Sequence, residues 1–481
     1  MTYQPVAPSR TDPVAAAFSE VVGGPVGRHA RPHRWWTPVR VLLVMGAVVM
    51  CLAIVRSQPC LATHWSSDEA RYGKMCYSDV PYLYTGRGFA EGRWPYSDDG
   101  GRFTTIEYPV GIAYFAYVIA ELNQVSSLTR DGPPIDQRRA TPADQTYTLP
   151  GIAEEIDHYY LLTSVFLAIA LLGGIWLMAG AHRGRPWDAL PFVASPVLLA
   201  TALINWDLLA VVCVAGVMWA WARDRPTLTG VLIGVGTAVK LYPLFLLGPV
   251  LIIAWRRKRP TDAVTAAGGA AIAWSLAQLP ALATGSARWK VFWTFNEGRG
   301  ADWGSVWLLL SHLGRAASVE TINRWSWILF ALVCVAVLIL GLRAPKVPRL
   351  AQLGYLVVLG FLLVNKVYSP QYALWLLPLA VLARPRWRDL LIWQAGEVLY
   401  VAAIWLNLGG WLTGSQGDAT PAYDAAIVVR ILAELYLAFV IVRDVLSRRV
   451  DPYGLAEDDP VDVGGGEPHA DLDLLAHGRH V

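Results

Sequence analysis

The chain has 481 residues, 55% of them hydrophobic and 16% charged, with a formal net charge of +3. Soluble domains carry roughly 45–50% apolar and about 25% charged residues, so this composition excludes an ordinary soluble globule. No basic stripe interleaved with exposed aromatics is present, which excludes nucleic-acid binding, and five cysteines without a Cys-x-x-Cys pair exclude zinc-ribbon and thioredoxin-type centres.

Residues 1–38 are rich in Ala, Pro, Gly and Arg, lack helical periodicity, and read as a disordered cytosolic tail. The apolar run that follows, from Val39 to Val55, has no small-x-small cleavage site after it and reads as an uncleaved first span. A span needs roughly 20 mostly apolar residues, fewer where neighbouring helices bury it. Runs of this kind recur at 39–56, 159–180, 189–204, 207–222, 228–239, 241–255, 262–284, 325–342, 350–364, 371–383, 389–408 and 424–442. The expected fold is therefore an all-α, polytopic membrane bundle over 39–446 with about twelve transmembrane helices. Residues 447–481 read as a second disordered cytosolic tail.

Alternate connections are basic: His182 to Arg185, Arg223 to Arg225, Arg256 to Arg259, Arg343 to Arg349, Arg384 to Arg388 and Arg443 to Arg449. The positive-inside rule assigns them, and both termini, to the cytoplasmic side of a plasma membrane. The outward connections are two long loops, 57–158 and 285–324, a Gly-rich turn at 409–423, and three short turns. Those turns centre on Asn205-Trp206-Asp207, on Lys240, and on Asn365 to Tyr368. The apolar pieces from Tyr108 to Leu122 and from Trp303 to Leu313 break the parity if counted as spans, so they read as juxtamembrane or re-entrant helices. The 22 tryptophans fit interfacial belts, with Trp35-Trp36 and Trp405/Trp411 as anchors. Cys60 and Cys76 flank a polar segment of the first outer loop. A disulfide persists in such a compartment and would stabilise the fold by about 3 kcal/mol; two unpaired thiols are the alternative.

Ionisable residues at membrane depth cost about 2.5–3.5 kcal/mol each at a helix centre and default to functional candidates. Lys240, in Thr237-Ala238-Val239-Lys240-Leu241-Tyr242-Pro243, has apolar sequence on both sides. Gly230, Gly234, Gly236 and Pro243 around it point to a broken helical hairpin lining a cavity; the bland reading is a lysine snorkelling to the interface. Lys366, followed by Tyr368, Ser369, Gln371 and Tyr372, sits similarly, and two lysines on one face suit an anionic phosphate. Asp207 begins a span, where the helix macrodipole alone explains a carboxylate. The first outer loop, expected to be helical, holds Asp79, Glu91 and Glu107 among aromatics. Asp79 precedes a segment that reads as a helix packed on the membrane and suits a general base for a sugar or lipid hydroxyl; a solvated loop charge fits Asp98 and Asp99 better.

Asp79-Val80-Pro81-Tyr82, Phe89 to Tyr96 and Glu107-Tyr108-Pro109 together resemble the start of glycosyltransferase family 87. The likeness continues through Asn205-Trp206-Asp207, Gly230 to Pro243, and Lys366 to Tyr372 with Trp375 to Pro378. Two departures stand out: a single proline in Tyr108-Pro109-Val110, and a long insert from Asn123 to Ile156. The resemblance implies an actinobacterial mannosyltransferase of the GT-C membrane fold that uses a polyprenyl-phosphate sugar donor in the lipid bilayer. By the same resemblance Asp79 matches the catalytic base, and Lys240 and Lys366 fall on basic positions facing the donor. His312 and Arg299 lie in the second outer loop among donor-contacting groups, and Glu107, Tyr82 and Asp207 are substrate-binding positions. No metal or other cofactor is expected, since no D-x-D or histidine cluster within the membrane domain argues for one. The acceptor implied is a glycolipid or wall glycan. A lipid or sugar transporter is the rival reading, but it calls for matched broken helices in two halves, and a noncatalytic scaffold leaves the outer carboxylates and lysines unexplained.

Overall fold

A computed structural model describes residues 12–23, 35–125, 132–182, 184–412 and 420–448; their regular structure is helical, with no strand among them. The tail assigned to 447–481 lies, beyond Arg448, outside the described residues. In the N-terminal tail Pro13–Gly23 forms a helix, and the Asp12 carboxylate at its start accepts from the Trp387 backbone N–H at 3.0 Å. Proline opens Pro38–Arg56, Pro226–Val239, Pro260–Trp289 and Pro421–Leu446, a position where its missing N–H costs nothing.

Among the described residues, six helices are long and apolar enough to cross a bilayer: Pro38–Leu61, Ile152–Ala181, Pro260–Trp289, Val319–Arg343, Trp387–Leu408 and Pro421–Leu446. They leave apolar side chains such as Val48, Ile169, Ile272, Leu332 and Phe439 exposed, a surface that only lipid would cover. Six apolar helices are shorter: Val110–Val125, Leu208–Trp221, Pro226–Val239, Tyr242–Arg256, Leu350–Val364 and Pro370–Ala383. Leu208–Trp221 and Ala373–Ala383 are almost wholly buried among the others, so bilayer thickness does not set their length. The run 189–204 is not one helix. It divides into Leu190–Val193 and Pro196–Thr201, the second capped by Ser195, whose hydroxyl also donates to Gln394 at 2.7 Å. Of the two pieces read as juxtamembrane, one is the 16-residue Val110–Val125 and the other contains only the seven-residue Val306–His312.

The basic connections meet at one end of the bundle. Arg223 donates to Gly180, Arg256 to Gly341, and Arg349 to Ala383, while Arg259 pairs with Asp224 and Arg384 with Asp444. The first and second outer loops and the turns at Asn205, Lys240 and Lys366 converge away from these contacts, around one cavity. Cys60 and Cys76 form a disulfide there, with Cα atoms 5.9 Å apart. Trp405 is 3% exposed, so it is no interfacial anchor, whereas Trp35, Trp36 and Trp411 are exposed.

The tightest helix contact joins Pro226–Val239 to Pro260–Trp289. A Cβ added to Gly230 would lie 2.0 Å from the Ala266 carbonyl oxygen, and one on Gly234 would lie 2.3 Å from that of Ala270. Small residues allow membrane helices this close an approach, and the contact fixes the height at which Pro226–Val239 ends and Lys240 begins. Gly230→Leu should therefore lower the thermal midpoint of the detergent-solubilised protein by several degrees or abolish its folded yield. Gly268→Ala, where a Cβ meets nothing within 4 Å, should be neutral or stabilising in the same measurement.

Candidate functional site

Asp79 is set against the broken segment 189–204. Its backbone N–H donates to the Ile204 carbonyl at 2.8 Å, and the Ser78 hydroxyl donates to the same oxygen at 3.0 Å. The helix Val80–Gly86 starts here, yet the Asp79 side chain caps nothing. Its carboxylate accepts instead from the Tyr77 and Tyr108 hydroxyls, each at 2.9 Å, and from Asn205 Nδ2 at 3.5 Å. The helix is braced from behind. Tyr84 donates to Glu155, and Arg138 grips that carboxylate with two bonds of 2.6 and 2.7 Å. Arg138 belongs to the insert between Asn123 and Ile156, so the insert supports the helix that carries Asp79.

Burial pushes the Asp79 carboxyl above the ordinary carboxylate range. The hydrogen bonds from Tyr77 and Tyr108, the Lys240 charge and the Asn205 amide oppose that shift without cancelling it. Burial, reinforced by the Asp79 charge, raises the Tyr77 hydroxyl as well, which keeps it a donor.

Lys240 follows the last turn of Pro226–Val239 in extended conformation. Its Nζ lies 3.3 Å from Asp207 Oδ1, 4.5 Å from the Tyr108 ring centroid and 5.9 Å from that of Trp375. Trp375 Nε1 donates to the same Asp207 oxygen at 2.7 Å. Asp207 stands at the N-cap of Leu208–Trp221 without a side-chain capping bond. Its carboxylate serves as counter-ion to Lys240, and capping does not explain it.

A cavity of about 920 Å³ opens between these groups, and Asp79, Glu107, Lys240, Arg299 and Lys366 all line it. Its volume falls within the range of small-molecule sites. Glu107 is held by Arg87 through bonds of 2.9 to 3.1 Å. Arg299 pairs with Asp302 at 2.6 Å. Lys366 Nζ donates to the Asn296 and Glu297 carbonyls at 2.6 and 3.2 Å. Burial, with Arg299 adding and Glu297 opposing, pushes the Lys366 ammonium below its ordinary value. The backbones of the two loops bearing these cations are joined: Asp302 N donates to Lys366 O and Tyr368 N to Trp303 O. A buried guanidinium holds both loops from below, since Arg430 donates to Gly304 O at 3.0 Å and stacks 3.6 Å from the Tyr368 ring centroid.

Three expected positions lie away from the cavity. The Tyr82 hydroxyl donates to Trp65 O at 2.9 Å, Asp207 is buried behind Lys240, and His312 is paired with Asp424 at 2.7 Å. Tyr77, Tyr108 and Asn205 were not singled out from sequence, although they hold the Asp79 carboxylate; the only available signal was their adjacency to residues that were. Arg324, from Val319–Arg343, also lines the cavity.

Compared with known proteins, residues 153–365 match the family model of glycosyltransferase family 87. That range contains Asn205, Asp207, Lys240 and Arg299, ends one residue before Lys366, and does not include Asp79. A stretch of 173 residues is 28% identical to GPI mannosyltransferase 1 of Aspergillus fumigatus, covering 34% of this chain and 38% of that protein. The chain thus spans well under half the length of this relative.

The Lys240–Asp207 pair is buried, so removing one partner leaves an uncompensated charge, at a cost of about 3–5 kcal/mol. Asp207→Ala should show this loss in thermal unfolding, and adding Lys240→Met should restore most of it. Unfolding midpoints of the two variants and the wild type check the coupling.

Proposed function

We propose that this chain, a member of glycosyltransferase family 87, is a multi-pass membrane enzyme that transfers mannose from a polyprenyl-phosphate donor to a lipid-linked or wall glycan. The observation that carries the reading is one cavity holding a partly buried carboxylate, Asp79, together with Lys240, Arg299 and Lys366. A phosphate ester and a proton acceptor need to share one compartment, and these residues supply both. The mannosyltransferase name of the fungal relative supports the choice of sugar. The basic connections gathered at the far end of the bundle support an extracytoplasmic cavity with the termini inside; the setting proposed is a bacterial plasma membrane.

In this reading the prenyl chain lies between helices and its phosphate lies against Lys240, Arg299 and Lys366. Asp79 takes the proton of an acceptor hydroxyl as that oxygen attacks the anomeric carbon from the face opposite the phosphate. The new C–O bond forms as the anomeric C–O bond to phosphate breaks, so the configuration inverts. The electron pair leaves with the lipid monophosphate, and the fixed cations take up its charge in a partly dry site. The reaction is therefore written without a metal. Tyr77, Tyr108 and Asn205 orient the Asp79 carboxylate.

General-base catalysis contributes roughly 10²–10⁴-fold, so Asp79→Asn should lower transfer from polyprenyl-phosphate mannose by at least about 100-fold in proteoliposomes. Transfer at near wild-type rate would remove Asp79 from the mechanism. The pH profile is a second check. The base works as the carboxylate, and burial raises its pKa, so activity should fall on acidification while the pH is still above about 3.9, the unperturbed aspartate value. Tyr108→Phe removes a hydrogen bond that favours the carboxylate, and should move that acid limb to higher pH.

A further inference from the structure

Tyr242–Arg256 packs between Pro260–Trp289 and Val319–Arg343, and those two helices make little contact with each other. Near its upper end the Phe245 ring lies 4.8 Å from that of Phe330. Lower down, Arg256 donates to the Gly341, Leu342 and Ala344 carbonyls. Residues 319–329 rise above the Phe330 contact by about 16 Å of helix. Opposite them stands Val291–Gly298, a helix with no buried residue, and Asn323 Nδ2 donates across to its Glu297 carbonyl at 3.0 Å. Asn323, Ser326, Trp327 and Phe330 line the cavity, at the spacing of three and four residues that marks one helix face. Trp327 is nevertheless 68% exposed, and Trp293 and Phe295 on the opposite wall are 41% and 45% exposed. Side chains that line a cavity and stay this exposed mark where it opens. Ile328 and Leu332 continue the exposed apolar surface along the same span, so the opening faces lipid.

Arg324 sits on the rim of this opening. The other cavity cations are held within the protein, Lys240 by Asp207, Arg299 by Asp302 and Lys366 by two backbone carbonyls. Arg324 has no hydrogen bond or ion pair among the described residues. Trp325 and Trp327 beside it are exposed, as aromatic side chains at a headgroup boundary are. Inward from the rim, the Arg299 guanidinium lies 5.9 Å from the Phe295 ring centroid. A bare anion at the rim would leave the apolar rings without a partner, and an uncharged chain would leave the guanidinium without one. A lipid phosphate satisfies both. The opening is continuous with Lys240, Arg299 and Lys366, which suit the same phosphate once it has moved inward.

We propose that the gap between Val291–Gly298 and the outer part of Val319–Arg343 is a lateral entrance from the bilayer for a prenyl phosphate. The isoprenoid chain lies against Trp293, Phe295 and Trp327, and Arg324 receives the phosphate before the inner cations do. The proposal rests on the glycosyltransferase reading, which supplies the occupant. It adds the side of entry and a cation outside the reacting centre.

The probe is polyprenyl phosphate bearing a diazirine on its first isoprene units, irradiated with the full-length protein in nanodiscs and mapped by mass spectrometry. Labels should fall on Trp293, Phe295 and Trp327. Unlabelled polyprenyl phosphate should suppress them, and dioleoyl phosphatidylglycerol or inorganic phosphate at the same concentration should not. Arg324→Ala should weaken polyprenyl phosphate binding about three- to tenfold, and Arg324→Lys should recover most of it. Affinity for the uncharged polyprenol should not move in either variant. The unfolding midpoint should stay as well, because that guanidinium bonds nothing in the protein. Trp327→Ala should weaken polyprenyl phosphate and polyprenol alike. Suppression by inorganic phosphate would mean a bare anion site, and equal suppression by phosphatidylglycerol a general lipid contact; either overturns the proposal. Labels confined to other helices, or affinity that ignores Arg324→Ala, overturn it too. Labels at the gap in a protein that transfers no sugar from any polyprenyl-phosphate donor would keep the entrance and remove the transferase reading; transfer with labels elsewhere would do the reverse.

Discussion

Lys240 has apolar sequence on both sides, and a buried ammonium there has to find counter-charge from elsewhere in the chain. Asp207 lies 3.3 Å from it, the Tyr108 ring lies beneath it, and Asp79 lies across that ring with the Tyr108 hydroxyl on its carboxylate. A lysine with one immediate counter-ion and a second carboxylate nearby ties three distant segments together. The first outer loop, the turn at 205–207 and the end of Pro226–Val239 can meet only if those charges are satisfied together. Breaking that balance leaves a charge unpaired in a poorly solvating interior.

The remaining supports follow from the same need. The close contact of Gly230 and Gly234 with the Pro260–Trp289 helix sets where Lys240 emerges. The broken segment 189–204 ends at Ile204, whose carbonyl receives both Ser78 and Asp79. On the other side of the cavity, Arg430 reaches up from Pro421–Leu446 to hold the loops bearing Arg299 and Lys366. Helices therefore brace the loop and turn residues that carry the site's charges. Fixed cations suit a phosphate.

The class of fold was legible in the amino-acid order, because hydrophobic run length is a property of contiguous sequence. So were Asp79, Lys240 and Lys366 as candidates, since each is an ionisable group next to apolar runs. What they contact was not legible. Asp207 reads as a helix cap in one dimension and is the partner of Lys240 in three, because the macrodipole argument is local and the ion pair joins residues 33 positions apart. Trp405 reads as a belt anchor beside a span end and is a buried wall of the cavity. His312, set in an outer loop, is spent on Asp424 instead of the site. Which short apolar runs cross the bilayer unaided, and which are sheltered by other helices, depended on burial by neighbours that no hydropathy window contains. Sequence alone determined a polytopic helical membrane protein with charges at one face; tertiary packing decided which of those charges meet, because pairing in a low-dielectric interior is settled by distances between segments far apart in the chain.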